Sequence, residues 1–165
     1  MSASIRSTVE TASSVEQVVT VLTAESWAVR KDKALRDGSR VVSRTERPDG
    51  GVELVLSREL PKGGPGFLDR LLPKDGRVVQ TDDWGPAVEG VRRGVWAVVI
   101  PGTPARLTGT LLLEPTATGS RYTIAGEAKV PVPLIGGKAE TFIAEMVMKL
   151  SAREAELLHA ALAEG

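Results

Sequence analysis

Few residues in this chain carry groups from which a reactive or binding site could be built. Tyr122 is the sole tyrosine. A phenolic hydroxyl on an inward strand position can orient a ligand carbonyl, or it can meet a backbone partner. Trp84 and Trp96 offer flat faces for a planar ligand, or plain core near strand ends. Arg58 shares its alternation face with Leu54 and Leu56. It is either an anion anchor at a cavity mouth or a surface arginine near a strand end. His159, the single histidine, falls on the polar back of a helix and reads as solvated rather than as a base. Acid–base catalysis needs a titratable group held inside a site. Asp82 and Asp83 are adjacent, so alternation sends them to opposite faces, and no pair of carboxylates shares an inward face. There is no GxSxG, P-loop or GxGxxG, and the glycines at 63 to 66 are not followed by Lys-Ser/Thr. No catalytic residue is assigned.

Composition narrows the field further. Cysteine is absent, which removes disulfides, thiolate nucleophiles and cysteine metal sites. With one histidine besides, neither a metal nor a cofactor is expected. Lys+Arg and Asp+Glu both number 21, so no net field draws the chain to nucleic acid or an anionic membrane. The 165 residues, 42% hydrophobic and 25% charged, suit one domain over residues 1–165. The opening MSASIRSTVE lacks a signal-peptide core, and no window approaches about 18 apolar residues. A cytoplasmic protein without integral membrane association is the expectation; no oligomeric state follows.

The elements that must position these residues are legible from period. Ile5, Ser7 and Val9 share one face of an opening strand. Ser13-Ser14-Val15-Glu16 has a capping-box pattern and opens a helix with Val15, Val18, Val19 and Leu22 inward. A second helix spans Thr23 to Asp37, with Trp27 and Leu35 as core contacts, and Asp37-Gly38 ends it. From Ser39 the period becomes two. Arg40 to Arg47 is a strand, Pro48-Asp49-Gly50-Gly51 a hairpin turn, and Val52, Leu54 and Leu56 one face of the next strand. Residues 61 to 76 read as a loop, with a helical turn at Phe67 to Leu72. Arg77 to Trp84 is a strand ending in Trp84-Gly85-Pro86. Val91 to Ile100, Ala105 to Glu114 and Arg121 to Val130 follow, joined by short turns.

Both faces of Val91 to Ile100 are apolar, whereas Leu107, Gly109, Leu111 and Leu113, then Tyr122, Ile124, Gly126, Ala128 and Val130, are clear inward sets. Gly109 and Gly126 therefore mark either a bend or close helix approach, or room for a ligand. Lys138 to Ala163 is a long amphipathic helix. Its stripe runs through Ala139, Phe142, Ile143, Met146, Val147, Leu150, Leu157, Leu158 and Ala161. Arg153 and Glu154 sit at the stripe edges with their charges in water. Before it, Pro131 and Pro133 stop the ladder, Leu134 and Ile135 turn inward as a plug, and Gly136-Gly137 forms a hinge. An anion site on the free amides there is the alternative.

This order resembles the helix-grip fold of the START-like (SRPBCC) superfamily. That superfamily includes steroidogenic lipid-transfer domains, birch-pollen-type allergens and polyketide cyclase/dehydrase-like proteins. A closer resemblance is to a small actinobacterial family of unknown function within it. It is carried by Trp84-Gly85-Pro86, Ile100-Pro101-Gly102, Ala105-Arg106-Leu107-Thr108-Gly109-Thr110 and Val132-Pro133-Leu134-Ile135-Gly136-Gly137-Lys138. The resemblance implies an α+β fold. In it a curved antiparallel sheet of about six to seven strands is gripped by the C-terminal helix, with two short helices after strand 1. It implies a cavity lined by Trp96, Val98, Leu107, Leu111, Tyr122, Ile124, Phe142, Met146 and Leu150, with Gly109 and Gly126 leaving space. The expected partner is a hydrophobic small molecule such as a lipid, sterol or polyketide, held by a carrier or sensor. A polyketide cyclase/dehydratase-like enzyme assisted by Tyr122 or Arg58 is the alternative, and an interaction module using Pro61 to Gly76 a second.

Overall fold

The structure, a computed structural model, describes residues 2–60, 64–71 and 75–164, and the backbone alone of Arg70. Strand β1 (Ala3–Thr11) leads into helices α1 (Val15–Thr23) and α2 (Glu25–Leu35). Six further strands follow: β2 (Arg40–Glu46), β3 (Val52–Glu59), β4 (Arg77–Val88), β5 (Val91–Val99), β6 (Arg106–Thr116) and β7 (Gly119–Lys129). A 3-10 turn at Gly66–Arg70 lies between β3 and β4, and helix α3 (Gly136–Glu164) closes the chain. The expected helical turn at Phe67 to Leu72 is this one, shifted a residue; Leu72 itself lies outside the described residues, as do parts of the 61 to 76 loop.

The strands form one antiparallel sheet in the order β1-β7-β6-β5-β4-β3-β2. Register places Ile5, Gly126, Gly109, Trp96, Asp82 and Leu54 in one row across six strands. Directly paired residues project from the same face, so this row settles the ambiguous faces of β5. Trp96 is buried while Val95 and Val99 are exposed. It also puts Asp82 inside. Asp83 points out, where its Oδ1 accepts from Arg47 Nη1 at 2.6 Å.

Four local expectations change. The capping box is real but one residue later: Ser14 Oγ accepts from Gln17 N at 3.1 Å, and Ser14 N donates to Gln17 Oε1 at 2.8 Å. Glutamine serves there as well as glutamate, since both present an acceptor oxygen. Strand β4 does not stop at Trp84-Gly85-Pro86. The register shifts between Trp84 and Ala87, and the strand resumes to Val88. A proline in such a bulge forfeits no ladder bond. Gly136 and Gly137 are not a hinge ahead of the helix but its first residues. A Cβ on Gly136 would strike the carbonyl of Val130, so the glycine lets α3 begin against the end of β7. Glu140, one turn on, caps that strand end by accepting from Val130 N at 2.8 Å. Leu134 is no plug: it is fully exposed with φ 72°, while Ile135 is partly buried.

Helix α3 lies on the inner face of the sheet and packs chiefly on β1 and β7, with α1 and α2 alongside. Ile5, Val18, Ala128, Ala139, Ile143 and Leu158 make the dry core there. Because the helix leans on one side of a curved sheet, much of the inner face from β4 to β7 is left roofed but unfilled, while Leu54 and Leu56 of β3 pack with Ala28 of α2. This is the helix-grip architecture.

Candidate functional site

A cavity of about 760 Å³ fills that space, within the usual range for small-molecule pockets. Its floor comes from the inward rows of the sheet and its roof from α3. Trp96, Val98, Leu107, Leu111, Tyr122 and Ile124 line it from the strands; Phe142, Met146 and Leu150 line it from the helix. At one end it reaches Glu59, Leu60, Leu68, Leu71 and Gly76.

Gly109 and Gly126 do not line the cavity. The Trp96 indole lies over them: a Cβ on Gly109 would stand 2.6 Å from Trp96 Nε1, and one on Gly126 2.7 Å from Trp96 Cζ2. Each would also strike backbone of the neighbouring strand. Trp96 Nε1 donates to Ala125 O at 3.2 Å, so the ring is held down by its polar edge. The two glycines thus make room for a tryptophan and a close strand pair, and the ring is what the cavity meets.

The wall opposite is polar. Val52, Leu54, Leu56 and Arg58 share the inner face of β3, and Val78, Gln80, Asp82 and Trp84 that of β4. Arg58 is 13% exposed and lines the cavity rather than the outer surface. Its Nη1 donates to Gln80 Oε1 at 3.1 Å and its Nη2 to Glu154 Oε1 at 3.3 Å. Nη2 also lies 3.1 Å from Asp37 Oδ2, an ion pair whose N–H is not aimed at the oxygen. The arginine is therefore committed to protein groups, which leaves it little capacity as an anion anchor. Glu154 is not simply at the water's edge: from α3 it joins this wall, with Lys31 Nζ of α2 3.7 Å from the same Oε1. Arg153, next to it, is exposed, and so is His159.

Among the described residues Asp82 receives no cation of its own. Gln80 Nε2 donates to its two oxygens at 3.1 and 3.2 Å. Its residual accessible surface belongs to the cavity it lines. Burial holds its carboxyl above the usual aspartate range; the Gln80 bond and the Lys31 and Arg58 charges oppose that shift, and Glu154 adds to it. Tyr122 lies with its ring centroid 5.9 Å from that of Trp84, at 44°. Burial, then the Asp82 and Glu154 charges, push its hydroxyl well above the usual tyrosine value. Its hydroxyl makes no hydrogen bond among the described residues. Chemically this is an apolar chamber with a protonatable acid, a neutral phenol and a buried ammonium on one side.

Sequence reasoning did not bring Asp82, Gln80, Glu154 or Lys31 into the site. Two signals were available. Asp82 and Gln80 alternate with Trp84 and Val78, whose burial fixes the face for all four. Lys31 stands four residues after Trp27 and so shares its helix face. Among the described residues no group of three His, Cys, Asp or Glu is placed to hold a metal. No helix among the described residues is long and apolar enough to cross a membrane.

A family model described as "Protein of unknown function (DUF2505)" matches residues 6–162. The chain belongs to this family. An uncharacterized protein of Mycobacterium tuberculosis is 33% identical over 105 residues, which is 62% of this chain and 60% of that protein. An uncharacterized protein of Mycobacterium bovis matches equally. Both matches therefore span less than two thirds of the relative. Solved structures share the fold at low identity. The protein TTHA0849 from Thermus thermophilus superposes with TM-score 0.63 at 13% identity, covering 98% of each chain. The di-domain ARO/CYC StfQ from the steffimycin biosynthetic pathway gives 0.62 at 16%, over 99% of this chain and 51% of that one. Human STARD10 gives 0.59 at 13%, over 98% and 63%. These likenesses show that the DUF2505 chain has the helix-grip fold.

Proposed function

We propose that the chain, acting as one START-like domain, binds a hydrophobic small molecule in this cavity as a carrier or sensor. A lipid, a sterol or a polyketide are the classes that suit it. The observation that carries this reading is the roofed volume of about 760 Å³ with tryptophan, leucine, isoleucine and methionine walls. Burying roughly 300 Å² of apolar ligand surface contributes about 7 kcal/mol, against association costs of at least about 4 kcal/mol. An apolar ligand can thus bind without a charged anchor. Met146 in the roof is unbranched and adapts to varied shapes. That a structural neighbour is an ARO/CYC protein of a biosynthetic pathway adds polyketides to the panel worth testing.

The test is a titration with N-phenyl-1-naphthylamine, a neutral dye that brightens in apolar sites, displaced by a lipid, sterol and polyketide panel. Met146→Arg should weaken dye uptake about 100-fold, because a guanidinium in the roof must be desolvated or must fill the space. Unchanged uptake by a folded variant would sink the cavity reading.

A further inference from the structure

We infer that Lys31 anchors the polar end of the ligand, and that this end is a neutral carbonyl oxygen. The inference rests on the ligand-binding reading above and adds the chemistry of one end of the occupant.

Lys31 projects from α2 into the cavity wall and is 3% exposed. Its ammonium makes no hydrogen bond among the described residues. The Trp27 ring centroid lies 5.9 Å away. The nearest carboxylate oxygen, Glu154 Oε1, is 3.7 Å away and already bonded by Arg58 at 3.3 Å. An ammonium carries three donors, and leaving them unmet inside a protein is costly. Trp27 and Glu154 hold the charge in position without satisfying its N–H groups. The lysine is therefore a fixed donor in the polar wall, facing the apolar side of the chamber, and an acceptor on the occupant would complete it.

Charge decides which acceptor. Glu154 from α3 lies beside the ammonium, and the lysine charge reaches Asp82 from β4. In the same wall Arg58 from β3 is held by Glu154, by Gln80 from β4 and by Asp37 just past α2, and Tyr122 from β7 lies within reach of the Asp82 and Glu154 charges. Lys31 and Arg58 face three carboxylates, so there is no surplus of positive charge to hold a ligand carboxylate, which would also meet Glu154 and Asp82. A basic amine would meet Lys31 itself. A ketone or ester oxygen accepts from the ammonium and brings no charge. The unbonded Tyr122 hydroxyl is a second donor lining the same space.

The full chain is titrated with 2-dodecanone, dodecanoate and dodecylamine as competitors of N-phenyl-1-naphthylamine. In the wild type the ketone should bind tightest. In Lys31→Met the ketone should lose about 10- to 100-fold, the range for a hydrogen bond to a charged group, beyond any loss for the dye. Equal losses for ketone and dye, or none, would overturn the assignment, as would tighter binding of dodecanoate or dodecylamine than ketone in the wild type. Carbonyl-labelled 2-dodecanone gives a spectroscopic readout: its infrared stretch should fall below its value in hexadecane on binding to the wild type and return toward that value in Lys31→Met; an unshifted stretch in the wild type, or the same shift in both proteins, overturns the inference. Failure of the dye itself to bind defeats the cavity reading instead, and this inference with it.

Discussion

On β6 and β7 the inward positions are Leu107, Leu111, Tyr122 and Ile124, with Gly109 and Gly126 under the Trp96 ring. On β3 and β4 the same inward alternation delivers Arg58, Gln80 and Asp82, joined by Lys31 and Glu154 from two helices. One wall of the cavity is shape and the other is charge. The apolar wall is held by close backbone approach, where a single methyl group has nowhere to go. The polar wall is held by mutual neutralisation, where each charge is tolerable only while its partners remain. The difference implies that the two walls fail in different ways.

The largest effect should come from the charged wall. Arg58→Met keeps the stem volume but leaves Asp37 and Glu154 short of their shared cation. Stripping one partner from a buried pair costs roughly 3–5 kcal/mol, readable as a fall in urea midpoint at unchanged slope. A loss below about 1 kcal/mol would show the wall to be screened like a surface cluster, and the contrast would dissolve. Gly126→Ala tests the other wall. Its Cβ would meet Trp96 and the Thr108 carbonyl, and overpacking of this kind costs roughly 1–3 kcal/mol. A neutral or stabilised variant would mean the space beside Trp96 is free, as a ligand site at the glycines would require.

The smallest effect sharpens the contrast through pH. Asp82 titrates above its ordinary value of 3.8 in the folded chain. Between the two values the native state holds a proton that the unfolded state has released. Stability from this group is thus fully present below 3.8 and falls as pH rises through the folded value. Asp82→Asn carries no such titration. The Tm difference, variant minus wild type, should grow with rising pH across that window and then level off. A difference that is flat with pH would mean that Asp82 is ionised and compensated in the fold.

Much of the fold was legible because its signals are local. The alternation of Leu107 to Leu113 and Tyr122 to Val130, the turn at Pro48 to Gly51 and the stripe of α3 each depend on neighbours in sequence. The cavity-lining residues from Trp96 to Leu150 could be collected for the same reason, once an architecture said that stripe and strand faces meet. The misses have a common cause. Asp82, Gln80, Glu154 and Lys31 are polar, and polar residues are assigned to water unless something distant pairs with them. Leu134 is the converse, an apolar residue that chain geometry turns outward.

The sequence by itself determined the elements and most of their faces, because backbone period and capping are set within a few residues; the class of fold followed from the resemblance of their order to the helix-grip fold. Tertiary structure alone decided three things. It leaned α3 on β1 and β7, so that a cavity remained over the inner face from β4 to β7. It laid Trp96 on two glycines from different strands. It gathered Lys31, Arg58, Asp82 and Glu154, which are far apart along the chain, into one wall. Each of these depends on which surfaces meet after the sheet curves, and a buried charge is stable only when partners from elsewhere in the chain arrive to hold it.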